Sequence, residues 1–196
     1  MNAMPLGLRR LARTLGFLGF VVLLGACGSD APPIPELAPV PEFRLTDESG
    51  APFGLAELRG KVWVANFVFT TCPTVCPMLT TQMRNVQQRL EAQPNVRFVS
   101  FSVDPANDTP EVLRAYAEAH DADLSSWHFL TGETEAVRAA VVEGLHVGMG
   151  ERQPSGDILH GTHFVLVDAN GRIRGYYRND REGLDDLVRD VGRLAN

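Results

Sequence analysis

Cysteine is scarce in this chain, with three residues in 196. So few thiols cannot staple a disulfide scaffold; they can make one bridge or one site. Membrane-length apolar runs are lacking as well, since the stretch Leu15 to Ala26 falls short of the ~20 residues that span a bilayer. Basic residues do not predominate: 18 Lys and Arg face 24 Asp and Glu, for a net charge of −6, which argues against nucleic acid as a partner. No internal repeat is visible, so nothing suggests a solenoid.

What is present centres on Phe69-Thr70-Thr71-Cys72-Pro73-Thr74-Val75-Cys76-Pro77. Before it, Lys61 to Phe69 is rich in β-branched and aromatic residues without polar alternation, the pattern of a strand buried on both faces. After it, Met78, Leu79, Met83, Val86 and Leu90 recur at helical spacing, predicting an amphipathic helix that ends near Pro94. A strand running into a helix start places the cysteines near outward-pointing N–H groups and a positive dipole, so their pKa values are expected to fall. At four residues apart, Cys72 and Cys76 would lie within ~40° of each other on a helix and can converge on one object. That object is either each other, as a disulfide, or a soft metal ion such as copper.

The N-terminus runs from Arg9, Arg10 and Arg13 through an apolar stretch to Leu24-Gly25-Ala26-Cys27. This is the order of a secretory signal, and its end resembles the lipobox of bacterial lipoproteins, whose cysteine carries the lipid. Residues 1–27 are therefore expected to be a signal peptide with lipidation at Cys27; a retained N-terminal anchor would leave the domain in the same place, on the periplasmic face of a bacterial membrane. Removing them leaves 15 basic against 24 acidic residues, or −9. Residues 28–42 hold five prolines and read as an extended tether. Residues 43–196 suit a single domain with one sizeable core.

Along that domain, strands are expected at Phe43 to Asp47, near Phe53, at Asn95 to Val103 and at Trp127 to Leu130, with a hairpin at Val165 to Tyr177. Helices are expected after a cap at Asp108 or Thr109, over Glu133 to Glu143, and over Asp180 to Leu194. This order is α/β. A cysteine pair at the junction of strand and helix makes it thioredoxin-like, a central mixed β-sheet flanked by helices.

F-T-T-C-P-T-V-C-P, S-V-D-P-A-N-D-T-P-E (Ser102 to Glu111) and L-H-G-T-H-F-V-L-V-D-A-N-G (Leu159 to Gly171), in this order behind a lipobox, resemble the Sco/SenC family over roughly residues 40 to 194. The resemblance implies a copper chaperone that delivers copper to, or prepares the thiols of, the binuclear copper centre of a respiratory cytochrome c oxidase. It implies copper ligands Cys72, Cys76 and one histidine. Counting back from Gly171 puts that histidine at His160, with His163 as second choice. Two thiolates and one imidazole suit Cu(I) and tolerate Cu(II). Implied partners are the copper-receiving oxidase subunit and a thiol reductant or another copper chaperone, with the membrane reached through the lipid.

Asp104 matches the family's D-P and is a candidate for orienting loops near the site; it also reads as a plain strand end. His120, His128 and His146 read as structural, and Met78 and Met83 as helix core. The glycine-rich segment Gly144 to Asp157 reads as a long connection that moves when metal binds or a partner docks. The rival to the chaperone is a thiol-disulfide oxidoreductase acting on partner cysteines without stable metal binding. Against a thioredoxin-type enzyme, no proline lies between Asp157 and Val167, and three residues rather than two separate the cysteines. Against a peroxiredoxin, the residue three before Cys72 is Phe69 and three before Cys76 is Pro73, where that family has Ser or Thr.

Overall fold

The structure, a computed structural model, describes residues 32–73 and 75–195. The expected signal peptide and Cys27 lie outside the described residues. No described helix is long and apolar enough to cross a membrane.

The central strand β4 (Val62–Val68) is buried at every position. Its alternate side chains explain the missing polar pattern: Trp63, Ala65 and Phe67 enter one core, while Val62 and Val64 enter another on the opposite face of the sheet. Around it the six-stranded sheet runs β1-β10-β9-β4-β5-β6. Strands β4, β5 (Val96–Ser102) and β6 (Trp127–Leu130) are parallel neighbours, whereas β9 (Phe164–Val167) and β10 (Arg172–Tyr177) form an antiparallel hairpin beside β4. Helices α2 (Val75–Arg89), α3 (Pro110–Ala119) and α5 (Arg181–Ala195) pack on one face through Leu79, Met83, Leu113, Leu187 and Val191. The mixed sheet with flanking helices is thioredoxin-like, as the strand order in the sequence implies.

The ends of these elements follow local chemistry. Thr109 caps α3, its hydroxyl accepting from the Val112 N–H with Pro110 in the first turn. Asp168 accepts from the N–H groups of Asn170 and Arg172, and Gly171 takes φ +73° to close the β9–β10 turn.

Four expectations need correction. First, the segment expected as a long connection contains a strand: β7 (Met149–Arg152) runs antiparallel to β8 (Ile158–His160), which follows it directly. Its glycines permit close pairing, since a Cβ on Gly150 would stand 3.1 Å from the Leu159 carbonyl oxygen. Secondly, the expected helix Glu133 to Glu143 is α4 (Thr134–Arg138) followed by a π-helical turn, Ala139–Gly144. Thirdly, Met78 is exposed while Met83 is buried, because only the latter lies on the face of α2 against the sheet. Fourthly, part of the proline-rich stretch is docked: β1 (Ala38–Pro39) adds an edge strand to β10, the Leu37 N–H bonds the Ile173 carbonyl, and Val40 is buried.

Candidate metal centre

The site begins where β4 ends. Phe69 is buried, the chain turns with the Cys72 N–H donating to the Phe69 carbonyl at 3.2 Å, and α2 opens at Val75. Cys72 stands in the turn, half-buried; Cys76 stands in the first helical turn, buried, and neither forms a disulfide. The pair is therefore not two residues on one helix face. The Cys76 backbone N–H instead donates to the Cys72 sulfur at 3.4 Å, so the helix start holds the first cysteine by its end.

His160 arrives from the last position of β8, 84 residues downstream of Cys76. Its Nε2 lies 3.8 Å from the Cys76 Sγ, while its Nδ1 lies 2.9 Å from the Gly161 carbonyl oxygen. A carbonyl only accepts, so Nδ1 carries the proton and the Nε2 lone pair faces the sulfur. Burial holds the imidazole pKa below its ordinary value, which keeps the ring neutral and fit to ligate. Phe69 packs against the ring edge-on, with centroids 5.9 Å apart. The His163 ring packs edge-to-face with Tyr176 at 5.4 Å.

The thiol acidity runs against the sequence expectation. Burial pushes the Cys76 pKa up to about 12, with the neighbouring Cys72 and Asp108 adding to the rise and the Phe69 N–H only partly opposing it. Desolvation outweighs the helix terminus here because the sulfur has no access to water.

Asp104 is buried and its carboxylate meets the guanidinium of Arg152 and the amide of Asn107. Arg152, on β7, also donates to the Thr71 hydroxyl at 2.9 Å and lies over the Phe69 ring at 5.9 Å. Through Arg152, Asp104 ties the hairpin that carries His160 to the turn that carries Cys72.

Asp108 has a role that sequence reasoning assigned only to a cap. It is fully buried and accepts from the Thr70 hydroxyl and the Ser102 hydroxyl, each at 2.6 Å, and from the Thr70 N–H. Burial raises its carboxyl pKa although these donors pull it down. The signal for it was the second aspartate of S-V-D-P-A-N-D, standing beside a Thr-Pro that caps the helix without help.

Chemically, the arrangement offers two sulfurs and one imidazole nitrogen from three separate elements. That donor set matches a soft ion, copper foremost.

Comparisons with known proteins give the family. The SCO1/SenC family profile matches residues 33–196. The crystal structure of a SCO1/SenC family lipoprotein from Bacillus anthracis str. Ames is 38% identical with a TM-score of 0.76, covering 81% of this chain and 96% of that one. BsSco, a member of the Sco family of cytochrome c oxidase assembly proteins in which a disulfide switch was identified, is 31% identical with a TM-score of 0.72, covering 82% and 96%. Bradyrhizobium japonicum ScoI, solved with copper bound, is 25% identical with a TM-score of 0.69, covering 80% and 99%. With a match over that whole span and the motif cysteines at the end of its central strand, this chain belongs to the SCO1/SenC family.

Proposed function

We propose that this protein is a lipid-anchored copper chaperone on the periplasmic face of a bacterial membrane, loading the binuclear copper centre of a cytochrome c oxidase. The observation that carries the reading is the 3.8 Å approach of His160 Nε2 to Cys76 Sγ across 84 residues of sequence, with the Cys72 sulfur 3.4 Å from the Cys76 N–H. Copper is cargo here. Cys72, half-buried, is the thiolate an incoming acceptor reaches first, and the buried Cys76 releases the ion after it, so transfer proceeds by successive ligand exchange. Membrane attachment at Cys27 is supported by Leu24-Gly25-Ala26-Cys27 and by the lipoprotein relative.

The thiol-disulfide reading has its own support. Only one cysteine of the pair is accessible, the asymmetry an exchange reaction uses, and a disulfide switch is described for BsSco. The two readings are linked, since oxidising the pair removes both thiolates from the copper site.

The test is a copper titration of reduced residues 33–196, which keep the docked edge strand. One tight equivalent with sulfur-to-copper charge transfer is expected, abolished in Cys72→Ser and in Cys76→Ser. His160→Ala should weaken Cu(II) binding by at least about tenfold and alter its spectrum, while His163→Ala should change neither. The reverse histidine result moves the ligand to His163. Absence of tight copper, alongside fast exchange with a cysteine-bearing partner, selects the oxidoreductase.

A further inference from the structure

A second group of metal-ligating side chains lies at the β6 edge of the sheet. Strand β2 (Arg44–Thr46) pairs with β3 (Pro52–Gly54), and Thr46 exchanges both backbone hydrogen bonds with Thr131 at 2.8 Å, which fastens this small hairpin to the end of β6. The turn then sends Asp47 and Glu48 inward toward His128 on β6.

Both carboxylates are buried, Asp47 at 7% and Glu48 at 6% exposure. Among the described residues no arginine or lysine forms an ion pair with either; the basic group that reaches them is His128. Its Nδ1 is shielded from solvent, makes no hydrogen bond, and stands 3.9 Å from Glu48 Oε1. A charge-assisted hydrogen bond between these groups would be about 2.8 Å long. The side chains are held in this open arrangement from behind. Glu48 Oε2 accepts the Phe129 N–H at 2.9 Å, Asp47 Oδ1 accepts the Ser49 N–H at 2.9 Å and the Ala51 N–H at 3.0 Å, and the His128 ring lies on Phe53 with centroids 4.5 Å apart.

We infer that Asp47, Glu48 and His128 form a divalent-cation site that pins the β2–β3 turn to the sheet edge. The three ligand atoms lie within 4.8 Å of one another. Atoms bound tetrahedrally to one zinc ion at about 2.0–2.2 Å stand about 3.3–3.6 Å apart, so binding draws the side chains together by up to about 1.5 Å. One nitrogen and two carboxylate oxygens select zinc or a similar divalent ion, Cu(II) included, and disfavour Cu(I). This site shares no residue with the cysteine centre and does not depend on the chaperone reading.

The test uses the full chain in detergent carrying Cys72→Ser and Cys76→Ser, titrated with zinc chloride by calorimetry and followed by thermal unfolding. One equivalent of zinc is expected, with a rise in Tm of about 5–10 °C when zinc exceeds its Kd about a hundredfold. Adding Glu48→Gln or His128→Phe should abolish both. Glu48→Gln leaves an amide oxygen for the Phe129 N–H and His128→Phe keeps a ring on Phe53, so folding is preserved in each. A zinc response that survives in these variants, or no zinc-dependent rise in Tm at millimolar zinc in the parent, overturns the assignment.

Discussion

At the scale of single residues, Cys76 sets two effects against each other. A helix terminus stabilises a nearby charge by roughly 0.3–1 kcal/mol, whereas full burial shifts an ionisable group by up to about 3–5 pKa units at about 1.4 kcal/mol each. Burial wins, and the fold favours the thiol. Its sign for stability follows: the folded pKa is raised from 9.0 to about 12, so the contribution is fully present below pH 9.0 and is lost as pH climbs through that window. The reduced, metal-free protein should therefore keep a constant Cys76 contribution from neutral pH to about pH 9 and lose it above. Thermal unfolding of wild type against Cys76→Ser, across pH 7 to 11, isolates the effect; parallel curves would refute it. Copper gains from the same chemistry in the opposite sense, because each bound thiolate has to shed its proton and affinity rises with pH.

Among the elements, β4 was legible because seven consecutive buried positions need apolar side chains on both faces, and α3 because Thr109-Pro110 is a helix start in any context. The hairpin β7–β8 was not, because Gly148, Gly150 and Gly156 mark a loop and a close strand pairing with the same letters. That hairpin is also what delivers His160, so its identity was readable from the family motif while the route by which it reaches Cys76 was not. Arg152 is the device that holds the hairpin in place, joining Asp104, Thr71 and the Phe69 ring. Arg152→Ala should leave the fold intact while lowering its Tm through the lost charged hydrogen bonds, and should weaken copper by about tenfold through looser placement of His160. Equal copper affinity in the variant, with altered stability alone, would limit Arg152 to a fold-holding role.

For the molecule as a whole, the domain includes more of the N-terminal stretch than its prolines suggest. Proline cannot donate to a sheet ladder, yet β1 is an edge strand whose register leaves the donating to Leu37 and Val40, bonded to the Ile173 and Gly171 carbonyls at 2.9 Å. Arg174 fixes the run further, donating to the Ile34 and Pro35 carbonyls while paired with Asp168 at 2.7 Å. Hydrophobic periodicity cannot announce such a segment, since it lays down carbonyls and one valine instead of a patterned face. Beginning the domain at residue 41 instead of 33 strips this edge and uncovers Ile173, which is fully buried in the intact sheet. Loss of the Val40 burial alone is worth about 2 kcal/mol, or a fall in Tm of roughly 4–8 °C for a domain of this size. The copper centre rests on β4, α2 and β8, none of which pairs with β1. Residues 41–196 should therefore unfold at a lower temperature than 33–196 while binding the same single equivalent of copper; a coincident Tm would show β1 to be a passenger, and lost copper would show the sheet edge to be coupled to the metal centre.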